Sequence, residues 1–247
     1  VLSGYRWENN LSKMSSPIIF FADTHLNISQ PDKPRRVIDF LKGQPSDSTF
    51  YILGDFFDLW IGPKQLKLAD YKDVLGEIKK LTLSGVGINF IPGNRDFTVG
   101  PEITAFAGIK VLPEIESITL GDKKVLLTHG DIFCTEDKSY QSYRRLSRAR
   151  IIKSAYQALP AKIGMHLGRK VRGYSDEVVP RKPLVSRNVI DSVLKRYFKK
   201  GYDVIICGHV HKEQTREILP GKTLITVGDW QDKGSYLEYK NGEFTLQ

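Results

Sequence analysis

Five times along this 247-residue chain an apolar run ends abruptly in a short polar block. Ile18-Ile19-Phe20-Phe21-Ala22 runs into Asp23-Thr24-His25, and Phe50-Tyr51-Ile52-Leu53 into Gly54-Asp55-Phe56-Phe57-Asp58. Ile88-Asn89-Phe90-Ile91 leads through Pro92 to Gly93-Asn94-Arg95-Asp96. Val125-Leu126-Leu127-Thr128 meets His129-Gly130-Asp131, and Val204-Ile205-Ile206-Cys207 meets Gly208-His209-Val210-His211. Continuous apolar runs of this length suit strands covered on both faces, as in sheets flanked by helices. Such sheets gather their chemistry in loops at the carboxyl ends of the strands. The five blocks therefore point to an α/β architecture whose strand ends converge.

The intervening sequence fits that architecture. Tyr71, Val74, Leu75, Ile78 and Leu81 recur at helical spacing, which predicts a helix over 66–81 that Gly85 can close. Residues 37–41 predict a short helix, and residues 183–200 an amphipathic one with Val189, Ile190, Val193, Leu194 and Tyr197 on one face. Residues 110–120 and 223–227 read as strands, and Asn241-Gly242 marks a tight hairpin. No Gly- or Ser-rich linker interrupts the chain. The expectation is one domain over 17–247 with a helical insertion at 138–200, composed of a helix over 139–159, a break at Pro160 and a second piece to Lys170. Residues 1–16 are polar, lack the apolar segment of a secretory signal and read as an extension outside the fold.

Charge is unevenly placed. The net formal charge is +9, yet residues 138–175 contain no acidic side chain while holding Lys138, Arg144, Arg145, Arg148, Arg150, Lys153, Lys162, Arg169, Lys170 and Arg172. One basic segment implies an anionic partner. No apolar stretch approaches the roughly 20 residues that cross a bilayer. Cys134 and Cys207 read as buried reduced thiols, which with the missing signal suggests a cytoplasmic chain.

Imidazole together with carboxylate suits manganese, iron or zinc, whereas calcium and magnesium prefer all-oxygen sites. Side chains two apart at a strand end share a face, so Asp23 with His25, and His209 with His211, can address one ion each. Asp55 can bridge two cations through its two oxygens, and Asn94 offers a neutral carbonyl oxygen. Asp58 and Asp131 are expected to orient ligands from behind. Two distant cysteines cannot build a zinc–thiolate cluster, and no Gly-x-Ser-x-Gly elbow supports a serine hydrolase. A phosphate ester or anhydride is the substrate such a two-metal site would hydrolyse. Arg95 is suited to grip phosphate oxygens, and a salt bridge to Asp96 is the competing structural reading.

The ordered set Asp-x-His, Gly-Asp-x-x-Asp, Gly-Asn-x-Asp, His and Gly-His-x-His resembles the calcineurin-like metallophosphoesterases over 18–246. The resemblance implies an αββα sandwich, two mixed β-sheets flanked by helices, with a dinuclear centre. It puts Asp23, His25 and His211 on one metal, Asn94, His129 and His209 on the other, and Asp55 between them. Asp55, Asn94 and Arg95 would be catalytic. Arginine at 95 where most of the family has histidine, Phe97, the run from His129 to Arg144, Trp60-Ile61-Gly62 and Gly228-Asp229-Trp230 further resemble the UDP-2,3-diacylglucosamine hydrolases of lipid A synthesis.

That narrower resemblance implies hydrolysis of a lipid-linked nucleotide sugar to UMP and 2,3-diacylglucosamine 1-phosphate, with two manganese ions as the expected cofactors. Arg95, Asp137, Tyr140, Arg144 and His209 would meet the substrate, and the insertion would form a lid over its lipid chains. Two stretches depart from the pattern: residues 181–188 lack its Ser/Asn-rich segment, and Gly62 precedes Pro63-Lys64 rather than acidic residues. The alternative is a soluble nucleotide diphosphate or phosphodiester cleaved with the same metals. The basic insertion has three readings: a solvated face, a nucleic-acid surface or a bilayer contact. Aromatic side chains for base stacking are few. Ile151, Ile152, Leu159, Ile163, Met165, Leu167 and Val171 interleaved with the cations favour an anionic membrane surface, and hence a peripheral location on the cytoplasmic face of the inner membrane.

Overall fold

Strand β1 (Ile18–Phe21) sets the layering. Ile19 and Phe21 pack into a core shared with helices, whereas Phe20 and the following Ala22 pack into a core shared with a second sheet. Both faces are sealed, so the run is apolar at every position rather than at every second one. The same alternation holds in β6 (Lys123–Thr128) and β7 (Val204–Cys207): Val125, Leu127 and Ile206 face the inter-sheet core, and Leu126, Ile205 and Cys207 face outward to helices.

The computed structural model describes residues 16–27, 30, 32–67, 71–178, 188–231 and 234–247. In the first sheet β2 (Thr49–Ile52), β3 (Gly87–Phe90) and β4 (Lys110–Val111) follow β1 in parallel. On the other side the hairpin β10 (Leu237–Lys240) and β11 (Glu243–Leu246) adds antiparallel, giving the order β11-β10-β1-β2-β3-β4. Its turn residues Asn241 and Gly242 both have positive φ, 53° and 88°, as a two-residue hairpin loop requires. The second sheet has the order β5-β6-β7-β9-β8, from β5 (Ile115–Leu120), β8 (Gln214–Leu219) and β9 (Lys222–Thr226), with β6, β7 and β9 parallel.

Helices α1 (Asp32–Gly43), α2 (Lys72–Leu83) and α3 (Pro101–Ala107) cover the outer face of the first sheet through Val37, Leu41, Val74, Leu75, Ile78 and Ile103. Between β6 and β7 lie α4 (Lys138–Ser147), α5 (Arg150–Ala158) and α6 (Ala161–Val178). Helix α7 (Asp191–Phe198) covers the second sheet with Val193, Leu194 and Phe198. The result is the expected αββα sandwich with helical insertions.

Several boundaries differ from the sequence expectation. The helix over 139–159 is two helices, broken at Ala149 (ψ 131°), next to Arg148, whose guanidinium turns inward. The helix over 66–81 starts at Lys72, because Pro63–Lys67 forms a separate 3-10 turn. Helix α6 runs past Lys170 to Val178. Of the helix over 183–200, α7 begins at Asp191, and residues 183–187 lie outside the described residues, as do 1–15. Helix α3 is under two turns and is marked only by Pro101 at its start and the left-handed Gly108 (φ 72°) at its end, and β8 opens on four polar residues, which hides it as a strand.

Candidate metal centre

All five polar blocks meet at one edge of the sandwich, beyond the carboxyl ends of β1, β2, β3, β6 and β7. The side chains are aimed by backbone turns. Asp23, His25, Asp55, His209 and His211 have φ of 55°, 45°, 51°, 72° and 55°. Among the described residues Asn241 is the only other non-glycine residue in that left-handed region. Asp and His tolerate it better than most residues, yet sparsely populated backbone costs on the order of 1–3 kcal/mol per residue. This corrects the expectation that strand alternation aims Asp23 with His25 and His209 with His211. The strands stop at Phe21 and Cys207, and left-handed turns do the aiming. Backbone bonds hold the turns, with Asp23 N–H donating to Gly54 O at 3.1 Å and His25 N–H to Asp55 O at 2.9 Å. A Cβ on Gly93 would run into the Asp55 amide and carboxylate, and one on Gly208 into Ala22 and Asp23.

The donors fall into two overlapping groups. Asp23, His25 and His211 present ligand atoms within 4.8 Å of one another, as do Asp23, Asp55 and His129. In the first group the Nε2 atoms of His25 and His211 are 3.2 Å apart. In the second, His129 Nε2 lies 2.9 Å from Asn94 Oδ1, 3.2 Å from His209 Nδ1 and 3.7 Å from Asp55 Oδ1. The other Asp55 oxygen is 3.9 Å from His25 Nδ1, so this carboxylate faces both groups. His129 Nδ1 donates to Leu53 O at 2.9 Å, which leaves a neutral ring's lone pair on Nε2, toward the Asn94 oxygen. A metal ion held by both atoms accounts for that approach, as does a proton on Nε2, which burial opposes but the charges of Asp55, Asp23 and Asp131 favour. Asp23 Oδ1 and His25 Nδ1 are buried without hydrogen-bond partners, which such an ion also answers. The donors fit a dinuclear metal site of mixed imidazole, carboxylate and amide ligands.

The protein's own charges are strongly coupled here. Burial works against a charged His211, but Asp229 (3.1 Å from Nδ1) and Asp23 outweigh it and push the ring up to about 10. Burial, then the neighbouring His129, pushes His209 down to about 4. Burial, then the Asp55 charge, pushes Asp96 up to about 7, although its carboxylate accepts N–H bonds from Gly93 at 2.8 Å and from Asp55 and Phe57 at 3.2 Å.

The remaining expected site residues divide. Arg95 is at the centre: its N–H donates to Asp55 Oδ1 at 2.9 Å, and its Nε is 3.4 Å from Asp55 Oδ2. Its guanidinium pairs with Asp58 rather than Asp96. Asp58 and Asp131 hold arginines rather than orienting ring nitrogens. Asp131 accepts from Arg144 at 2.8 Å, from Arg148 at 3.0 Å and from the Tyr140 hydroxyl at 2.7 Å. Tyr140 also sets its ring 6.0 Å from that of His209. Arg144 reaches on to Glu114, and Asp137 caps α4 by accepting from Tyr140 N–H at 3.0 Å. Two functional residues carry no role in the sequence pattern: Asp229, which pairs with His211, and Arg148, which donates to Gly93 O at 2.9 Å. Asp96 is expected there only as a partner for Arg95. Asp229 lies in Gly228-Asp229-Trp230, and Arg148 is one of ten cations in its segment.

Two mixed sheets between helices, with carboxylate–imidazole clusters at the converging strand ends, define a metal-dependent hydrolase of the phosphoesterase class. Residues 16–213 match the calcineurin-like phosphoesterase family, and the chain belongs to it. It is 33% identical over 230 residues to the UDP-2,3-diacylglucosamine hydrolase of Histophilus somni (strain 2336), covering 91% of this chain and 97% of that protein. It is 36% identical over 221 residues to the Pasteurella multocida UDP-2,3-diacylglucosamine hydrolase, covering 89% and 92%. The Neisseria meningitidis protein of the same name is 32% identical over 219 residues, covering 87% and 90%.

Proposed function

We propose that the chain cleaves the diphosphate of UDP-2,3-diacylglucosamine, releasing UMP and 2,3-diacylglucosamine 1-phosphate. What supports this is the coincidence of similarity over about nine-tenths of the chain to enzymes named for that substrate with two carboxylate–imidazole clusters next to Arg95. Asp23, His25 and His211 would hold one metal, Asn94, His129 and His209 the other, and Asp55 would bridge them. Manganese is the proposed metal. Bound divalent cations supply an activated water and neutralise phosphoryl charge. Arg95, fixed through its own backbone to Asp55, presents its guanidinium to the phosphate as negative charge develops. His209, whose N–H donates to Asp23 Oδ2 at 2.7 Å, is held where it faces both the centre and Tyr140. Asp137 and Arg144, engaged as they are with α4 and Glu114, would meet the sugar or uridine side.

The single domain over 17–247 is proposed with residues 138–200 as its lid. Helices α5 and α6 expose Ile151 (82%), Ile163 (48%), Leu167 (42%) and Val171 (46%) beside the exposed cations Arg150, Lys162, Arg169 and Lys170. Leu159 and Met165 are half-buried. Apolar and basic residues on one surface support contact with an anionic bilayer, as a lipid substrate requires. No helix among the described residues is long and apolar enough to cross a membrane. The peripheral location on the inner membrane's cytoplasmic face follows from this reading. The lid stretch 181–187, where substrate contacts depart from the family pattern, lies outside the described residues.

The test is UMP release from UDP-2,3-diacylglucosamine by manganese-loaded protein, beside a UDP-glucosamine without acyl chains and a bis-aryl phosphate diester. Strong preference for the acylated substrate is expected. Indifference to the acyl chains would move the function to soluble nucleotide diphosphates.

A further inference from the structure

Helix α5 buries none of its side chains fully, so polar contacts seat it. They gather at its C-terminal corner, where the chain turns into α6 at Pro160. The last carbonyls of a helix lack intrahelical donors, and Pro160 brings no N–H to the turn. Lys64, from the 3-10 turn after β2, supplies what is missing. Its ammonium donates to Gln157 O at 3.2 Å, Ala158 O at 2.9 Å and Leu159 O at 2.6 Å, matching the three donors it has. Its charge also meets the negative end of the helix dipole. Two further bonds tie the same helix to the loop after β3: Gln157 Nε2 donates to Thr98 O at 2.9 Å and Lys153 Nζ to Val99 O at 3.5 Å. The seat is close, since a Cβ on Gly62 would strike Gln157. On the far side of the corner the Tyr156 hydroxyl donates to Gly164 O at 3.0 Å, joining α5 to α6. Helix α6 then lies on the β2 loop, where a Cβ on Gly168 would strike Leu59. The corner thus rests on the two loops that carry Asp55 and Asn94.

We propose that Lys64 is a positioning residue, a polar latch that holds the α5–α6 corner to the domain and so sets how the insertion stands over the metal centre. A segment without buried apolar side chains opens locally at low cost, and the charge-assisted cap is then a large part of that cost. Lys64 belongs to the Pro63-Lys64 stretch, which replaces the acidic residues of the diacylglucosamine hydrolase pattern. A carboxylate at that position would repel the same three carbonyls. The effect on turnover rests on the lid reading proposed above; the latch itself rests on the contacts of Lys64 alone.

The experiment is hydrogen exchange read by mass spectrometry on manganese-saturated wild type, Lys64→Met and Lys64→Arg, each shown folded by its melting curve, beside KM and kcat for UMP release from UDP-2,3-diacylglucosamine. In Lys64→Met the amides of 150–170 are expected to exchange about tenfold faster, the loss of one charge-assisted cap, while α2 and β6 keep their wild-type rates. Lys64→Arg, which keeps charge and donors, is expected to retain most of the protection. KM for the acylated substrate should rise several-fold in Lys64→Met with kcat unchanged, because a smaller fraction of the protein has its insertion seated. The proposal is overturned by unchanged exchange at 150–170, by acceleration spread evenly over the chain, which marks a purely structural cap, or by Lys64→Arg and Lys64→Met behaving alike. Selective acceleration without UMP release from wild type would remove the substrate reading and leave the latch. UMP release with KM unmoved in Lys64→Met would keep that reading and overturn the role of Lys64 in positioning.

Discussion

Asp96 holds Asp55 by its backbone: its Oδ1 accepts the Asp55 N–H at 3.2 Å and the Gly93 N–H at 2.8 Å, and its Oδ2 the Phe57 N–H at 3.2 Å. One fully buried carboxylate thereby ties the β2 loop to the β3 loop. Truncation would orphan three buried amides, each costing about 1–3 kcal/mol. Asp96→Ala is expected to lose about 3 kcal/mol or more in urea unfolding. It should also lose activity through displacement of Asp55 and Asn94, measured at a denaturant-free temperature where the variant is still folded.

The paired nitrogens in each donor group predict that metal binding is a folding term. Chelator-treated protein should melt higher on adding manganese, by an increment that grows with its concentration. At a hundredfold excess over the dissociation constant the linkage is about 2.7 kcal/mol. Asp55→Ala should lose most of that increment and at least about a hundredfold in activity. A full manganese shift in that variant would contradict the bridging assignment.

The sheets and the meeting of the five blocks were legible because both follow from local pattern. Unbroken apolar strands need two covered faces, and strand ends in a parallel sheet lie together. How the donors aim was not legible. No periodicity announces the left-handed φ of Asp23, His25, Asp55, His209 and His211. Strand alternation pairs Asp23 with His25, which do lie together, but also His209 with His211, which the turns separate: His211 lies by His25 and His209 by His129. The ion pairs were hidden for another cause. Arg95 has aspartates at 55, 58 and 96 within reach, and only the folded loops decide for 55 and 58. Likewise, nothing local distinguishes inward Arg148 and Arg172 from exposed Arg145 and Arg169 on the same helices.

Asp131 supplies a pH dependence. Burial opposes its charge, but Arg148, His129 and Arg144 outweigh it and hold the carboxyl well below the usual carboxylate range. A folded-state pKa below the unfolded value of about 3.9 means that the ion pairs stabilise the fold fully above that value and are lost as pH falls through it toward the folded value. Stability should therefore fall more steeply from about pH 5 to about pH 3 in wild type than in Asp131→Asn. Parallel urea titrations at several pH values measure the difference, and identical slopes would remove Asp131 as the cause.

The two thiols should be silent in the native protein. Cys134 and Cys207 are 2% and 0% exposed and pack in one core with Leu126, Ile205 and Leu224. Burial, followed by the charges of Asp131 and Asp137, pushes the Cys134 thiol up to about 12. Burial pushes Cys207 higher still. The thiolate is the reactive form, so at pH 8 both thiols stay protonated, even before access is considered. An aromatic disulfide reagent should release no thiol from native protein over hours and two equivalents after denaturation. Because Cys207 directly precedes Gly208-His209, its modification in the folded state would require the β7 loop to open. Rapid native labelling with parallel loss of activity would show that loop, and the His209 and His211 it carries, to be far less fixed than their backbone bonds indicate.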